Sequence, residues 1–227
     1  KGAKVFDFSK IQAEKSIVLD MSGEIGTAAV QAPSQIAFTV KVHGKASHAG
    51  FAPQDGVHAI RIAAAAIAEM AIGRIGDDTT VNVGKIEGGR ASNIVPDYCE
   101  VSGELRSFSH KKALEELAKV EQIFAKEAEK RSGSIEFIRD ICYQAYKTDE
   151  NESVVKEFQK ACTACGIKSS LIATFGGSDQ NKMSEHGIPG IVMASAMHQV
   201  HSCQEYTEVS EMAQVAGIVS ELLQMKE

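Results

Sequence analysis

The sequence contains no apolar run long enough to cross a membrane. Its longest strongly apolar segment, Ile62 to Ala68, is bounded by Arg61 and Glu69, whereas a membrane-spanning helix needs ~20 apolar residues. Basic residues are not in excess either, because 24 Lys and Arg face 30 Asp and Glu, for a formal net charge of -6. Nucleic acid and anionic membranes are therefore not expected partners. The first residues also lack the basic and apolar segments of a secretory signal.

Cysteine is sparse and follows no disulfide pattern. The 5 cysteines are an odd, scattered set, which suits a reducing, cytoplasmic compartment better than a disulfide framework. Cys162 and Cys165 form a C-x-x-C, but at the end of a helical pattern, whereas a redox thiol is activated at a helix N-terminus. A zinc knuckle would need a second close ligand pair, which the sequence lacks. We interpret the two as semi-buried helix residues.

The sequence does have the composition of a folded globular protein, with 44% hydrophobic and 24% charged residues. Residues 35–43 alternate strictly, with Ile36, Phe38, Val40 and Val42 on one side, which predicts a half-buried strand. Apolar spacing predicts further strands at 79–86, 98–105 and 135–141, and helices at 57–72 and 114–128. The order β-α-β-β-α-β is the ferredoxin-like pattern, in which two helices cover one face of an antiparallel sheet.

The segments on either side of this unit have a different pattern. Ser16 to Asp20 is an apolar run that ends in a carboxylate. After the ferredoxin-like unit we predict a helix at 150–165, an apolar strand at 171–175, a strand at 188–194 and a helix at 210–223. Such alternation is typical of a three-layer α/β domain with largely parallel strands. We therefore predict one α/β domain, made of residues 1–33 and 147–227, into which residues 34–146 are inserted.

Two residues in the α/β segments could hold a metal. Asp20 ends one predicted strand, and His201 lies a few residues beyond another. Ligands bind outside the carboxyl ends of the strands in open α/β sheets, and carboxylates and imidazoles both ligate first-row divalent metals. From the residues alone a metal site is one hypothesis. The alternatives are that Asp20 is a turn residue and that His201 is structural, with His198 as a nearby second candidate.

An ordered set of motifs resembles the M20 metallopeptidases, close to the peptidase T-like branch. The matching segments are Ser16–Asp20, Gly44–Gly50, Gly88–Val95, Gly103–Ser107, Gly176–Asp179, Gly187–Pro189 and His201–Tyr206. The resemblance spans nearly the whole chain. It implies the C-terminal half of a zinc-peptidase α/β domain with an inserted ferredoxin-like lid, and it implies a homodimer formed through that lid.

The resemblance also implies roles for single residues. Asp20 and His201 resemble ligands of a centre of two divalent ions, expected to be zinc, with cobalt and manganese as alternatives that share these ligands. The His-Ser-x-x-Glu match favours His201 over His198. His48 resembles the lid histidine that reaches the scissile carbonyl, often from the partner subunit. The residues that resemble substrate-binding positions are Asn93 and Arg106 in the lid and Gly176, Gly177 and Ser178 in the cleft.

The implied activity is hydrolysis of short peptides, of the aminopeptidase type, by metal-activated water. One alternative is an N-acyl amino acid deacylase or carboxypeptidase of the same fold, and another is a catalytically silent lid and dimerisation module. The family also uses an upstream His-x-Asp pair, a bridging Asp and adjacent Glu residues, and no such set precedes Asp20. We therefore expect this chain to be an incomplete part of the enzyme and nearly inactive alone.

Overall fold

The computed structural model describes residues 2–225. The chain separates into two compact units. The inserted unit is Ser34–Tyr143, and the outer unit is the chain up to Pro33 together with the chain from Gln144 onward. No helix within the described residues is both long enough and apolar enough to span a bilayer.

Strands and helices alternate along most of the chain. The strands are β1 (Ser16–Met21), β2 (Thr27–Ala32), β3 (Ser34–His43), β4 (Gly73–Ile75), β5 (Thr79–Gly88), β6 (Tyr98–Ser107), β7 (Ser134–Tyr143), β8 (Tyr146–Lys147), β9 (Ser170–Ala173) and β10 (Gly190–Ala194). The helices are α1 (Gly2–Val5), α2 (Ala59–Glu69), α3 (His110–Glu129), α4 (Ser153–Ala164), α5 (Asp179–Glu185) and α6 (Val209–Gln224).

The inserted unit has the β-α-β-β-α-β order predicted from the sequence. Its sheet runs β4-β5-β6-β3-β7, and every pairing is antiparallel. The short strand β4 is an addition that the sequence pattern did not predict. The alternation along β3 is confirmed, because Ile36, Phe38, Val40 and Val42 are buried against α2 and α3. The alternate residues of β3 and β6 leave the other face of the sheet polar.

The outer unit has a mixed sheet rather than the largely parallel one that the sequence predicts. Its strands run β1-β10-β2-β8, with β9 also paired to β2. β1 is parallel to β10 and β2 is parallel to β9, but β2 is antiparallel to both β10 and β8. The antiparallel pairs arise from β2, which immediately precedes the inserted unit and which the sequence analysis did not predict.

The core of the outer unit is built around β10. All of its positions are buried, which requires cover on both faces of the sheet. Ile191 and Met193 pack in one cluster with Phe158 of α4 and Ile218 of α6. Helix α5 packs on β1 and β10. The three-layer α/β class is therefore confirmed, and the carboxyl ends of β1 and β10 emerge side by side.

The cysteines are free thiols. Cys162 is buried and Cys165 half-buried at the C-terminal end of α4. Burial raises the pKa of the Cys162 thiol to about 11, and the neighbouring Cys165 contributes in the same direction. A thiol in this state is a poor nucleophile, which agrees with the interpretation of both as packing residues.

Candidate functional site

A cavity of about 360 Å³ lies in the outer unit. Its lining comes from the ends of β1 and β10 and from the loops that follow β9 and β10. This is the edge at which ligands bind in open α/β sheets, and the volume falls in the range of ~300–1,000 Å³ of small-molecule sites. The lining includes the outer-unit residues singled out from the sequence, namely Asp20, Gly176, Gly177, Ser178 and His201.

Asp20 reaches the cavity from a bulge in β1. Leu19 pairs with Met193 and Met21 with Ala194, so Asp20 is an extra residue in the ladder. Bulges re-aim side chains and occur often beside active sites. Partial burial raises the pKa of the Asp20 carboxyl, nearby Asp179 raises it further, and His201 acts in the opposite direction. The three groups are thus electrostatically coupled at one edge of the sheet.

His201 lies on the loop between β10 and α6. Its backbone has a φ of 64°, and its N–H donates to Glu205 Oε2 at 3.2 Å. Within residues 2–225 its exposed ring forms no hydrogen bond. Both His201 and Glu205 line the cavity. The imidazole is therefore available to a ligand.

His198 is held differently. Its Nε2 hydrogen-bonds to Glu211 Oε2 of α6. Its ring also stacks on Tyr206, with the ring centroids 4.8 Å apart. His198 is not part of the cavity lining within the described residues. Of the two histidines, His201 is the one that faces the cavity.

The loop before α5 forms another wall of the cavity. Ser178 is the N-cap of α5, where its Oγ accepts from the Gln180 N–H at 3.2 Å, and Asn181 Oδ1 accepts from the Ser178 N–H at 3.1 Å. The neighbouring Asp179 is the first residue of the helix itself. Since its hydroxyl is used by the cap, Ser178 presents backbone to the cavity together with Gly176 and Gly177.

Two buried amides that the sequence analysis did not single out fix α5 in place. Gln180 accepts from Ser16 Oγ at 2.6 Å and donates to the Ile188 carbonyl at 3.2 Å. Asn181 Nδ2 donates to the carbonyls of Pro33 at 3.1 Å and Gln144 at 2.8 Å. Those carbonyls belong to the last outer-unit residue before the inserted unit and the first one after it. This helix is short and polar and follows a Gly-Gly-Ser turn. Nothing in its sequence indicates that its amide side chains are buried.

In the inserted unit, the loop after β3 brings His48 beside the segment that carries Asn93. His48 forms a β-bridge with Ile94, and the Ala49 N–H donates to the Asn93 carbonyl at 2.9 Å. The His48 Nδ1 accepts from the backbone N–H groups of Gly50 at 3.1 Å and Phe51 at 3.2 Å. Because Nδ1 acts as an acceptor, the neutral ring carries its proton on Nε2. His48 thus presents an exposed N–H donor.

Arg106 lies on the polar face of the same sheet. Its Nε donates to Glu104 Oε1 at 2.9 Å and a terminal nitrogen approaches Glu104 Oε2 at 3.4 Å. Gln35, which is opposite Arg106 across the β3–β6 pair, also donates to the Glu104 carboxylate. Gln35 therefore helps to orient the carboxylate that holds the guanidinium.

The residues present fit part of a metal centre. A carboxylate and an imidazole at one cavity, Asp20 and His201, are donors that zinc, cobalt and manganese accept. Within residues 2–225 no group of three or more His, Cys, Asp or Glu side chains is placed to hold an ion. A stable site usually needs three or four protein ligands, so these two would require others.

Comparison with known proteins identifies the inserted unit. The peptidase dimerisation domain of the M20 type matches residues 33–132. This segment therefore resembles the M20 dimerisation domain.

The resemblance extends beyond that domain to both units. The chain is 34% identical over 223 residues to the uncharacterized protein YqjE of Bacillus subtilis, covering 98% of this chain and 60% of YqjE. It is also similar to the crystal structure of aminopeptidase PepT from Bacillus cereus, with 36% identity, a TM-score of 0.89 and coverage of 98% of this chain and 61% of that one. A tripeptidase from Staphylococcus aureus gives 31% identity, a TM-score of 0.94 and coverage of 98% and 60%.

These matches confirm the predicted resemblance to the peptidase T-like M20 metallopeptidases. They also confirm the fold, an α/β domain portion with an inserted ferredoxin-like unit. The chain spans about 60% of the length of the relatives that it matches. The M20 dimerisation domain carries His48, Asn93 and Arg106, while Asp20 and His201 belong to the outer unit.

Proposed function

We propose that the complete protein is a metal-dependent peptidase that cleaves short peptides from the free amino end, and that this chain supplies its lid and part of its metal site. One observation carries the proposal. Asp20 and His201, which are far apart in the sequence, line one cavity together with the Gly176–Ser178 loop. The names of the Bacillus cereus aminopeptidase and the Staphylococcus aureus tripeptidase support the same activity.

The residues at the cavity have different proposed roles. Asp20 and His201 would hold a divalent ion, one of two in the complete centre, with zinc as the expected metal and cobalt or manganese as alternatives. When bound, such ions supply the Lewis acidity that activates water for attack on a carbonyl. The backbone from Gly176 to Ser178 would lie along the peptide.

His48 would stabilise the charge that develops on the scissile carbonyl oxygen. Its Nδ1 is occupied by the N–H groups of Gly50 and Phe51, so its Nε2–H is a fixed donor. A donor aimed at an oxygen that gains charge stabilises the transition state more than the ground state. Asn93, whose carbonyl holds the residue after His48, would contact the substrate beside it.

The charges favour a free amine at the cavity. Among the described residues the cavity lining includes the carboxylates of Asp20 and Glu205 and no Lys or Arg side chain. Because Asp20 is assigned to an ion, Glu205 is the lining carboxylate that remains to attract a cationic group of the substrate. This supports an aminopeptidase over a carboxypeptidase or an N-acyl amino acid deacylase of the same fold. Arg106, oriented by Glu104, would bind the carboxylate end of a short peptide, because guanidinium and carboxylate match in geometry.

The partner is proposed to be a second copy of the chain. The inserted unit is the domain that its relatives use for dimerisation, by the printed name of that domain. Its sheet ends in β7, a 10-residue edge strand on which Ile138 and Ile141 are exposed. A long exposed edge is a template for pairing with another chain.

The test uses the complete protein with two substrate series. Tripeptides with a free amine should be hydrolysed, the same tripeptides with an acetylated amine should not, and metal analysis should find about two divalent ions per chain. Preference for the acetylated series would favour the deacylase alternative. Dimers with no hydrolysis and no bound metal would favour the silent dimerisation module.

A further inference from the structure

The loop that carries His201 is closed at its base by a single pair of residues. His198 and Tyr206 exchange both backbone hydrogen bonds, at 3.0 Å from the His198 N–H and 3.2 Å from the Tyr206 N–H. The intervening residues 199–205 include His201 and Glu205, both of which line the cavity. The geometry of this pair therefore sets how the loop meets the cavity.

The base of the loop is fixed by side chains as well as by backbone. The His198 ring lies nearly parallel to the Tyr206 ring, with an interplanar angle of 16°. On its other side the His198 Nε2 reaches Glu211 of α6. Both partners of that bond are only about one third exposed, at 32% and 30%. Glu211 thus ties the base of the loop to a helix that packs in the core of the outer unit.

The loop needs such ties because its backbone is strained. Gln199 and His201 have φ values of 50° and 64°, and Ala196, just before the loop, has a φ of 60°. A non-glycine residue in that region is strained and persists only when surrounding contacts impose it. The hydrogen bonds inside the loop are local, such as the one from the His201 N–H to Glu205. Within residues 2–225, the side-chain hydrogen bond that ties the base of the loop to α6 is the one between His198 and Glu211.

We propose that His198, Tyr206 and Glu211 form a clamp that holds loop 199–205 in the conformation that presents His201 and Glu205 to the cavity. They are positioning residues and do not touch the substrate or an ion themselves. The proposal rests on the proposed function only where it concerns metal binding. Without the clamp, the strained residues relax and His201 no longer has one fixed position.

The first test measures the loop itself in the 227-residue chain. In Glu211→Ala and Tyr206→Ala, amide hydrogen exchange across residues 199–206 should accelerate about tenfold or more, because local opening becomes easier. Tyr206→Phe keeps the ring stack and Glu211→Gln keeps an acceptor for His198, so both should exchange like the wild type. Glu221→Ala, on the same helix, is the control for helix propensity. Unchanged exchange in Glu211→Ala and Tyr206→Ala would overturn the clamp.

The second test measures what the clamp does for His201. Co²⁺ is titrated into the complete protein, because the two ligands of this chain require others, and its binding is followed by visible absorption and by paramagnetic broadening of the His201 ring signals. Glu211→Ala and Tyr206→Ala should weaken Co²⁺ binding about tenfold, the size of effect expected when residues that orient a ligand are lost, and Glu211→Gln and Tyr206→Phe should restore it. Equal affinity in all variants, with faster loop exchange, would show that the clamp does not position His201. Absence of Co²⁺ binding in the complete wild-type protein would count against the proposed metal site, while the exchange data would still decide the clamp.

Discussion

The His48 Nδ1 accepts a hydrogen bond from the backbone N–H of Phe51, and the two rings stack with their centroids 4.3 Å apart. The backbone bond fixes which nitrogen of the neutral ring carries the proton. The stack limits rotation of the ring, although Phe51 itself is 85% exposed. A donor that is oriented before substrate arrives loses little freedom in the transition state, which makes His48 the most informative position to change.

His48→Ala in the complete enzyme should lower kcat by about 10²–10³-fold, the effect of removing one oxyanion donor. KM should change less, because the contact tightens only in the transition state. Metal content and fold should stay intact. Steady-state kinetics with a tripeptide and metal analysis of the same sample check this.

A matched control for that variant lies in the same unit. The His58 Nδ1 also accepts a backbone N–H, from Arg61 at 3.3 Å, but it does so as the N-cap of α2. His58→Ala should leave kcat within about twofold of the wild type, since a lost cap costs only ~0.5–2 kcal/mol of stability. An unchanged kcat in His48→Ala would contradict this role and would show that His48 is only a solvated loop residue.

If His48 acts across a dimer, two inactive variants should complement each other. Mixing His48→Ala subunits with His201→Ala subunits would give heterodimers in which one site combines an intact His201 with an intact partner His48. Some activity should return, up to a quarter of the wild type if mixing is random and half of the mixed sites are restored. Absence of any return, with subunit exchange confirmed by native mass spectrometry, would place His48 in the site of its own subunit.

His201→Ala in the complete enzyme should lower metal occupancy and activity together. His198→Ala should lower metal affinity less, because His198 holds the loop through Glu211 and Tyr206 rather than facing the cavity. Isothermal titration with Zn²⁺ and metal analysis after dialysis compare the two variants. A larger loss of metal in His198→Ala than in His201→Ala would reverse the assignment.

Glu127 should make the free energy of unfolding depend on pH in the acidic range. Its side chain is 2% exposed, and hydrogen bonds from Lys130 and Arg131 hold its pKa at about 2, against an ordinary 4.5. A lowered folded-state pKa stabilises the fold above pH 4.5, and this contribution disappears as the pH falls from 4.5 to about 2. Glu127→Gln should therefore be less stable than the wild type at pH 7, with a smaller difference near pH 2. Urea unfolding at several pH values measures it, and the exposed Glu121→Gln on the same helix should show no such trend.

Asn181→Ala should destabilise the outer unit. The carbonyls of Pro33 and Gln144 lose their side-chain donor, and a buried group left without a partner costs about 1–3 kcal/mol. We expect the free energy of unfolding to fall by about 1–3 kcal/mol, because Gln144 is exposed and water can replace the donor to its carbonyl, whereas the Pro33 carbonyl is buried. Chemical denaturation checks this against Asn151→Ala, whose side chain lies on an exposed turn. A loss below about 0.5 kcal/mol, typical of surface changes, would contradict it.

The inserted unit was predictable because its core follows strict periodicity. Ile36, Phe38, Val40 and Val42 alternate with polar residues, and the register of β3 with β6 and β7 follows from that alternation. β2 was missed because Thr27–Ala32 is rich in alanine, and its burial on both faces leaves no alternation to detect. Missing β2 led directly to the wrong expectation of a largely parallel sheet.

Some of the residues that line the cavity were predictable from the sequence. Asp20 and the Gly176–Ser178 loop follow strands, and the topology of an α/β sheet brings strand ends together. The burial of Gln180 and Asn181 was not predictable, because amides in a short helix are usually exposed and only the tertiary structure supplies their partners. The left-handed backbone at His201 was not predictable either, because a positive φ is uncommon in non-glycine residues and nothing in the local sequence requires it.

Asn181 has a consequence for how this architecture can vary. Its Nδ2 bonds both the Pro33 and the Gln144 carbonyls, so those oxygens lie within about 6 Å of each other. At the other side of the junction, Gln35 pairs with Tyr143. A linker of two or three residues, at ~3.3–3.6 Å per extended residue, would close the gap that the inserted unit occupies. The two ends of the outer unit at the insertion point are therefore adjacent, and another module whose own ends lie close together could be grafted between them.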